Sequence, residues 1–272
     1  MQINLLGPFV AHEQQTSIVP SAAKPRQILA LLALQANQVV TVPTLMEEIW
    51  GERPPRSAAT TLQTYILQLR RRLATAFGAE RSSSAKEVLV TRHGGYLLDV
   101  QPGEVDTTEF DRTLALGQAA LAAGDDPTAS LMLGQALALW RGPALVDVQT
   151  GRVLEIEVLR LEEARLGALE GRIAADLRLG RHAAMLSELT VLAARHPMHE
   201  GLHAQFMLAQ YRSGRAWQAL ETYQRLRGTL VAELGIEPSA RLRRLHGAVL
   251  AADPRLDLVG EELVLEPVRA AG

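Results

Sequence analysis

The strings LRLGRHAAMLSEL and YRSGRAWQALETY align with Gly180 and Gly214 34 residues apart, and Arg181 and Arg215 follow those glycines. A period of that length is one helix–turn–helix unit, too small to bury its apolar face alone and stable only when stacked on copies of itself. Pro197 stands 17 residues past Gly180, where the second helix of such a unit ends. A partial earlier copy, AAGDDPTASLMLGQAL, gives Gly124 the same role, with Ala129 and Leu133 at a small-then-bulky spacing. Beyond about Val105 the chain carries no strand pattern, so stacked helix pairs are predicted there. Such stacks present curved surfaces suited to protein partners rather than to chemistry. The last stretch, from Asp253 and with Pro254 and Pro267, reads as a loosely held tail.

The first hundred residues are different. INLL and the patch around Ile18 read as short strands, Lys24 to Ala36 as a helix with Pro25 in its first turn, and QVVTV as a strand or turn. Pro43 to Trp50 makes a second helix that stops near Gly51. After Pro54 and Pro55 a third helix begins near Ser57, a candidate N-cap. In that helix Leu62, Ile66, Leu69 and Leu73 line one side at i, i+4, i+7 and i+11. At roughly 100° per residue the opposite side collects Ser57, Thr60, Thr64, Gln68 and Arg71, with Thr61 and Arg72 on its flank. Hydroxyl, amide and guanidinium groups are what base edges and phosphates require. The alternative is an ordinary amphipathic helix with a solvated polar face.

ERSSSAKE reads as a loop, after which VLVTR and YLLDV form a hairpin about His93, Gly94 and Gly95. Arg92 and His93 then stand at the tip of a glycine-rich turn, and Tyr96 anchors the hairpin in the core. Arg70, Arg71, Arg72 and Arg92, with His93, are expected to contact phosphates or a groove, and Thr60, Thr64 and Gln68 to read bases. A polar-faced helix ending in Arg70, Arg71 and Arg72 and followed by an Arg-tipped hairpin is the layout of a winged helix, with the helix in the major groove and the hairpin on the adjacent backbone or minor groove. The predicted fold is therefore an α+β winged helix-turn-helix over residues 1–104. An all-α, tetratricopeptide-like helical-repeat domain over 105–252 and a flexible tail over 253–272 complete it.

Charge distribution agrees with that layout. The net charge is only −2, but Arg53 to Arg92 holds eight Lys or Arg against Glu80 and Glu87, whereas 18 basic residues face 22 acidic ones from Asp106 on. A basic segment on a mildly acidic chain is the footprint of a local polyanion site. The absence of cysteine excludes disulfides and Cys-based sites. MQINLLGPFV lacks the charged n-region and long apolar run of a signal peptide, and no stretch is apolar enough to span a bilayer, so a cytoplasmic protein without membrane contact is expected.

Enzymatic signatures are weak. His199-Glu200-Gly201-Leu202-His203 is a literal HExxH, the zinc-binding helix motif of one protease class. Gly201 weakens the helix interior, Phe206 stands where a metzincin needs glycine, and the string opens a repeat helix just after Pro197. Neither lysine follows a glycine, so there is no Walker A loop, and neither GxSxG nor a strand-to-helix GxGxxG occurs. Glu162, Glu163, Asp125 and Asp126 read as solvated surface. No enzyme, cofactor or metal site is expected.

ATTLQTYILQLRRRL followed by VTRHGGYLL resembles the response-regulator winged helix of the OmpR/PhoB kind. Together with KPRQILALLALQANQVV, EEIWGERPPRSAATTLQTYILQLRR, ALWRGPAL and HPMHEGLHAQFMLAQYRSGRAWQALETYQRLRGTLVAELGIEPS, it resembles the Streptomyces antibiotic regulatory protein family over residues 1 to 252. The second half resembles that family's bacterial transcriptional activation domain, and the likeness is to short members that control aromatic polyketide clusters. The resemblance implies a pathway-specific activator that binds direct repeats of double-stranded DNA near promoters, as a homodimer or side-by-side pair. It also implies engagement of RNA polymerase with its principal sigma factor, in the cytoplasm at the nucleoid. Carried over by position, Thr60, Thr61, Thr64, Gln68, Arg71 and Arg72 fall at DNA-facing sites and Arg92 at the wing arginine. Position 60 is often Arg in OmpR-type relatives. Neither a receiver domain nor an NTPase module is expected in this chain. The competing reading is a helical-repeat interaction scaffold whose winged helix binds protein instead of DNA.

Overall fold

The computed structural model describes residues 1–78 and 84–257, which form two compact units. The first comprises Met1–Ala115 with Gln135–Gly167; the second comprises Leu116–Gly134 with the chain from Ala168 onward.

In the first unit, β1 (Gln2–Asn4), β2 (Val10–Glu13) and β3 (Thr16–Ser17) form an antiparallel sheet in that order, with Ile3 opposite Ala11. β2 was not among the predicted strands: VAHEQQ carries no alternation strong enough to show, and pairing with β1 on one side and β3 on the other supplies what the pattern lacks. Helix α1 (Ala23–Leu34) is buried almost all round from Gln27 to Ala33, as its near-continuous apolar run requires. β4 (Val40–Thr41) leads directly into α2 (Val42–Trp50), whose first turn is capped by Thr41 Oγ1 accepting from the Thr44 amide at 3.2 Å. α3 runs from Ala58 to Phe77, one turn beyond the apolar stripe. Ser57 sits at its N-cap position, but its side chain makes no capping hydrogen bond.

Of the segment expected to be a loop, Glu80 to Ser83 lies outside the described residues, while its end forms a single helical turn, α4 (Ala85–Val88), with Ala85 buried. β5 (Leu89–Arg92) and β6 (Gly95–Leu98) make the hairpin, Arg92 opposite Gly95, so His93 and Gly94 alone form its turn. Gly94 has φ +77°, the left-handed region that glycine reaches without strain. Gly95 is needed for another reason. β4 pairs with β6, and a Cβ at position 95 would lie 2.3 Å from the Val40 carbonyl oxygen.

Helices α5 (Asp106–Ala122), α6 (Asp126–Ala138) and α7 (Arg152–Arg178) follow. Within the first unit, Asp106 accepts from the amides of Leu5 (2.7 Å) and Leu6 (3.0 Å). Glu48 of α2 is buried, accepting from the amides of Gly151 (2.6 Å) and Leu154 (2.9 Å) at the start of α7 and from Gln27 Nε2 at 2.6 Å. Glu162, expected at a solvated surface, is half-buried and accepts from the Ala144 amide at 2.9 Å.

The second unit holds α8 (His182–Arg195), α9 (Glu200–Arg212), α10 (Ala216–Leu234) and α11 (Ala240–Leu250). Its repetition is visible in the turns. Gly124, Gly180 and Gly214 all have φ between 73° and 76°. The residue after each, Asp125, Arg181 and Arg215, donates its amide to a carbonyl five residues earlier (Ala120, Asp176 and Gln210) at 2.9 Å every time. That is the same Schellman closure three times over. Nine residues past each glycine a bulky side chain is buried: Leu133, Leu189 and Tyr223. Asp126 departs from the expectation of a solvated carboxylate; it is 8% exposed and ion-paired with Arg178 at 3.2 Å. Past Asp253, where a loose tail was expected, Pro254–Asp257 forms a 3-10 turn with Leu256 fully buried and its carbonyl accepting from Arg212 Nε at 2.7 Å. Residues 258–272 lie outside the described residues.

Candidate nucleic-acid interface

The two sides of α3 separate as the apolar count requires. Leu62, Ile66, Leu69 and Leu73 are at most 2% exposed and join the core of the first unit. Ser57, Thr60, Thr64, Gln68, Arg71 and Arg72 are exposed, and Thr61 is half-buried. Thr64 donates its hydroxyl hydrogen to the Thr60 carbonyl at 3.0 Å, which leaves the hydroxyl oxygen facing outward as an acceptor. Arg72 reaches the Val19 carbonyl at 3.4 Å. Arg71 makes no ion pair or hydrogen bond through its side chain with any described residue, and neither does Arg92 at the exposed hairpin tip beside His93. A charge left unpaired in water is available to an incoming phosphate at little desolvation cost.

Arg70 is placed differently. Its Nε and Nη2 donate to the Leu89 carbonyl at 3.0 and 2.7 Å, and Nη2 also to Thr91 Oγ1 at 2.8 Å. The guanidinium fork thus ties α3 to β5, holding the hairpin at a set distance from the helix. The pattern LRRRL shows three equivalent arginines in a row; only the long-range pairing sets Arg70 apart from the other two.

Sequence reasoning missed two neighbours of this face. Pro20, Ser21, Ala22 and Pro25 line a shallow cavity of about 350 Å³ together with Gln68, Arg71 and Arg72. Ser21 carries no local signal, because its place beside α3 arises from how α1 packs. Leu67 is the other: it is 48% exposed within the polar face, where helical spacing from Thr60 and Thr64 could have found it. Behind the face, Trp50 stacks on Tyr65 with ring centroids 6.5 Å apart, and Lys24 Nζ lies 5.2 Å from the Trp50 ring.

The HExxH string is occupied with packing. His199 is the N-cap of α9, its Nδ1 accepting from the Leu202 amide at 3.3 Å, and Glu200 accepts from the Ser239 amide at 3.0 and 3.1 Å. His203 is buried at 5% exposure and neither ring nitrogen has a hydrogen-bond partner among the described residues. Burial above all holds its imidazole below the usual range; the nearby His196 and Ala193 carbonyls, not in hydrogen-bonding geometry, pull the other way, and the charges of His199 and Arg225 add smaller lowering effects. Among the described residues no three His, Asp or Glu side chains converge as a metal set, and no helix is long and apolar enough to cross a membrane.

Comparison with known proteins places this geometry. Residues 15–98 match the family model described as transcriptional regulatory protein, C terminal, and residues 105–250 match the bacterial transcriptional activator domain. Regulatory protein DnrI of Streptomyces peucetius is 58% identical over 97% of both chains. Transcriptional regulator RedD of Streptomyces coelicolor is 37% identical over 94% of this chain and 72% of its own. The solved structure of Mycobacterium tuberculosis EmbR in complex with a low-affinity phosphopeptide superposes with a TM-score of 0.85 at 32% identity, covering 95% of this chain and 68% of that one. An activator-domain model matched over more than half the chain, beside relatives of this identity and coverage, shows that the chain belongs to the Streptomyces antibiotic regulatory protein family, the non-enzymatic, DNA-binding, pathway-specific activators of antibiotic biosynthesis genes.

Proposed function

We propose that α3 lies in the major groove of a direct-repeat site, with Thr60, Thr64 and Gln68 toward base edges and Ser57, Thr61, Arg71 and Arg72 toward the flanking backbone. Arg92 and His93 reach the neighbouring phosphates or minor groove from the hairpin tip. Arg70 acts as the brace that sets the helix-to-wing distance. Two copies bind side by side on adjacent repeats near the promoter of an aromatic polyketide cluster. The helical-repeat domain meets RNA polymerase and its principal sigma factor there, in the cytoplasm at the nucleoid. The division of labour falls at residues 1–104 and 105–252, with 253–272 as a tail, in keeping with family matches that meet between 98 and 105. The observation that carries the reading is the split of α3 into a stripe at most 2% exposed and an opposite face of exposed hydroxyl, amide and unpaired guanidinium groups.

The test is a salt titration of DNA binding by the full chain. Arg71→Ala and Arg92→Ala should each weaken binding across all sequences and lower the slope of log K against log salt by about 0.9 for every phosphate no longer neutralised. Gln68→Ala should instead change preference at one base pair, by about 1–3 kcal/mol. Binding indifferent to both arginine changes refutes the reading.

A further inference from the structure

Leu67 is the one large apolar side chain of α3 that stands exposed among the described residues, at 48%. At about 100° per residue it projects roughly 20° from Thr60, 40° from Arg71 and 60° from Thr64, within the polar face and not at its border with the core. Gln63, Thr64 and Gln68 beside it are all exposed. In the free protein much of the apolar area of this side chain stands in water, where a partner could cover it. The major groove offers one apolar group among its donors and acceptors, the C5 methyl of thymine. Amide and guanidinium neighbours read hydrogen-bonding edges; the γ-methyls of Thr60 and Thr64 can also touch a methyl, but Leu67 is the largest apolar group on this face and, unlike them, has no hydrogen bond to offer.

We infer that Leu67 is a specificity-determining residue that packs on a thymine methyl in each repeat of the DNA site. The inference rests on α3 being the groove-facing helix, as proposed above, and adds an apolar contact to the polar ones. Leu67 makes this part of the site selective for thymine over cytosine, which presents an amino group and no methyl on the same edge. It also predicts a binding enthalpy and salt dependence unlike those of the arginines: the contact carries no charge, so it leaves the salt slope untouched.

The experiment uses the full chain and a duplex recovered by selection from random-sequence DNA, with each thymine replaced singly by deoxyuridine to delete only its methyl. The expected result is one thymine per repeat whose replacement raises the wild-type Kd about fourfold, the equivalent of one methyl buried. Leu67→Ala should raise Kd on the unmodified duplex by at least that factor and lose all sensitivity at that thymine, with its salt slope unchanged. Alanine is the better helix former and Leu67 is outside the core, so folding is preserved; Leu67→Met, which keeps an apolar contact, should restore thymine sensitivity. The assignment is overturned if no deoxyuridine position matters, or if Leu67→Ala keeps the wild-type pattern while Arg71→Ala still weakens binding. If neither variant changes binding, it is the groove-facing assignment of α3 that fails, and Leu67 with it.

Discussion

Replacing Glu48 by alanine should unfasten the start of α7 within the first unit. The Glu48 carboxylate is 3% exposed and takes two amides of that helix terminus, Gly151 at 2.6 Å and Leu154 at 2.9 Å, together with Gln27 Nε2 at 2.6 Å. The first amides of a helix have no partner within it, so an acceptor brought from another helix replaces the usual N-cap side chain. Truncation leaves the buried Leu154 amide and the half-buried Gly151 amide without partners, at about 1–3 kcal/mol each, while Gln27 Nε2 keeps the Glu48 carbonyl at 2.8 Å; it also removes a negative charge from the positive end of the helix, worth about 0.3–1 kcal/mol. Because partial relaxation and water entry recover some of this, the expected loss is about 3–5 kcal/mol. Glu48→Gln keeps one acceptor but turns an NH2 toward the other donor, and should lose about half as much. The assay is urea denaturation followed by tryptophan fluorescence in a Trp217→Phe background. Trp217 is 67% exposed and in the second unit, so Trp50 and Trp140 then report the first unit alone. The midpoint shift multiplied by the m-value gives the loss. Neighbouring Glu47 is exposed and serves as control, with Glu47→Ala expected within about 0.5 kcal/mol of wild type. A Glu48→Ala loss below about 1 kcal/mol, or one no larger than that of Glu47→Ala, would show that the buried carboxylate does not hold α7.

Gly95→Ala should disrupt the β4–β6 pairing, because its Cβ would meet the Val40 carbonyl oxygen at 2.3 Å; amide hydrogen exchange in the hairpin should rise while that of α8 to α10 stays as it was. Arg70→Ala should weaken DNA binding through a displaced hairpin, with little change in salt slope, unlike Arg71→Ala; Arg70→Lys should restore it incompletely because one ammonium cannot reproduce the fork. Acid should destabilise the second unit through His203. Its folded-state pKa is lowered, so between that value and 6.5 the unfolded chain binds more protons and stability rises with pH: the contribution is whole above about 6.5 and is lost as pH falls below it. Urea midpoints at pH 7.5, 6.5 and 5.5 should therefore decline, with a slope of up to about 1.4 kcal/mol per pH unit from this group, and His203→Leu should flatten the decline. His246, lowered by its own burial where it stacks on Tyr223 with ring centroids 3.9 Å apart, adds in the same direction.

What could be read from the chain alone was set by interactions that span a turn or two. The stripe Leu62, Ile66, Leu69 and Leu73 declared both the helix and its exposed face, because side chains three and four apart share a surface wherever the helix is later placed. Gly124, Gly180 and Gly214 declared three helix ends, since each needs a left-handed φ that other residues adopt at a cost. The hairpin, its tip at Arg92 to Gly94 and the buried Tyr96 followed from the same short-range logic. Tertiary structure decided the rest. Arg70 and Arg71 are chemically identical neighbours, yet 100° of helix turns one onto the Leu89 carbonyl and leaves the other in water. Ser57 does not cap α3, whereas Glu48, far away in sequence, caps α7, because a buried donor takes the acceptor that packing brings to it. His199 and His203 have the spacing of a metal pair, but one caps a helix and the other is enclosed among helices, where burial favours its uncharged form. Periodicity and turn chemistry are written locally in the chain; the partner of a buried polar group is settled only when distant segments meet, since desolvation makes an unpaired one costly wherever the fold leaves it.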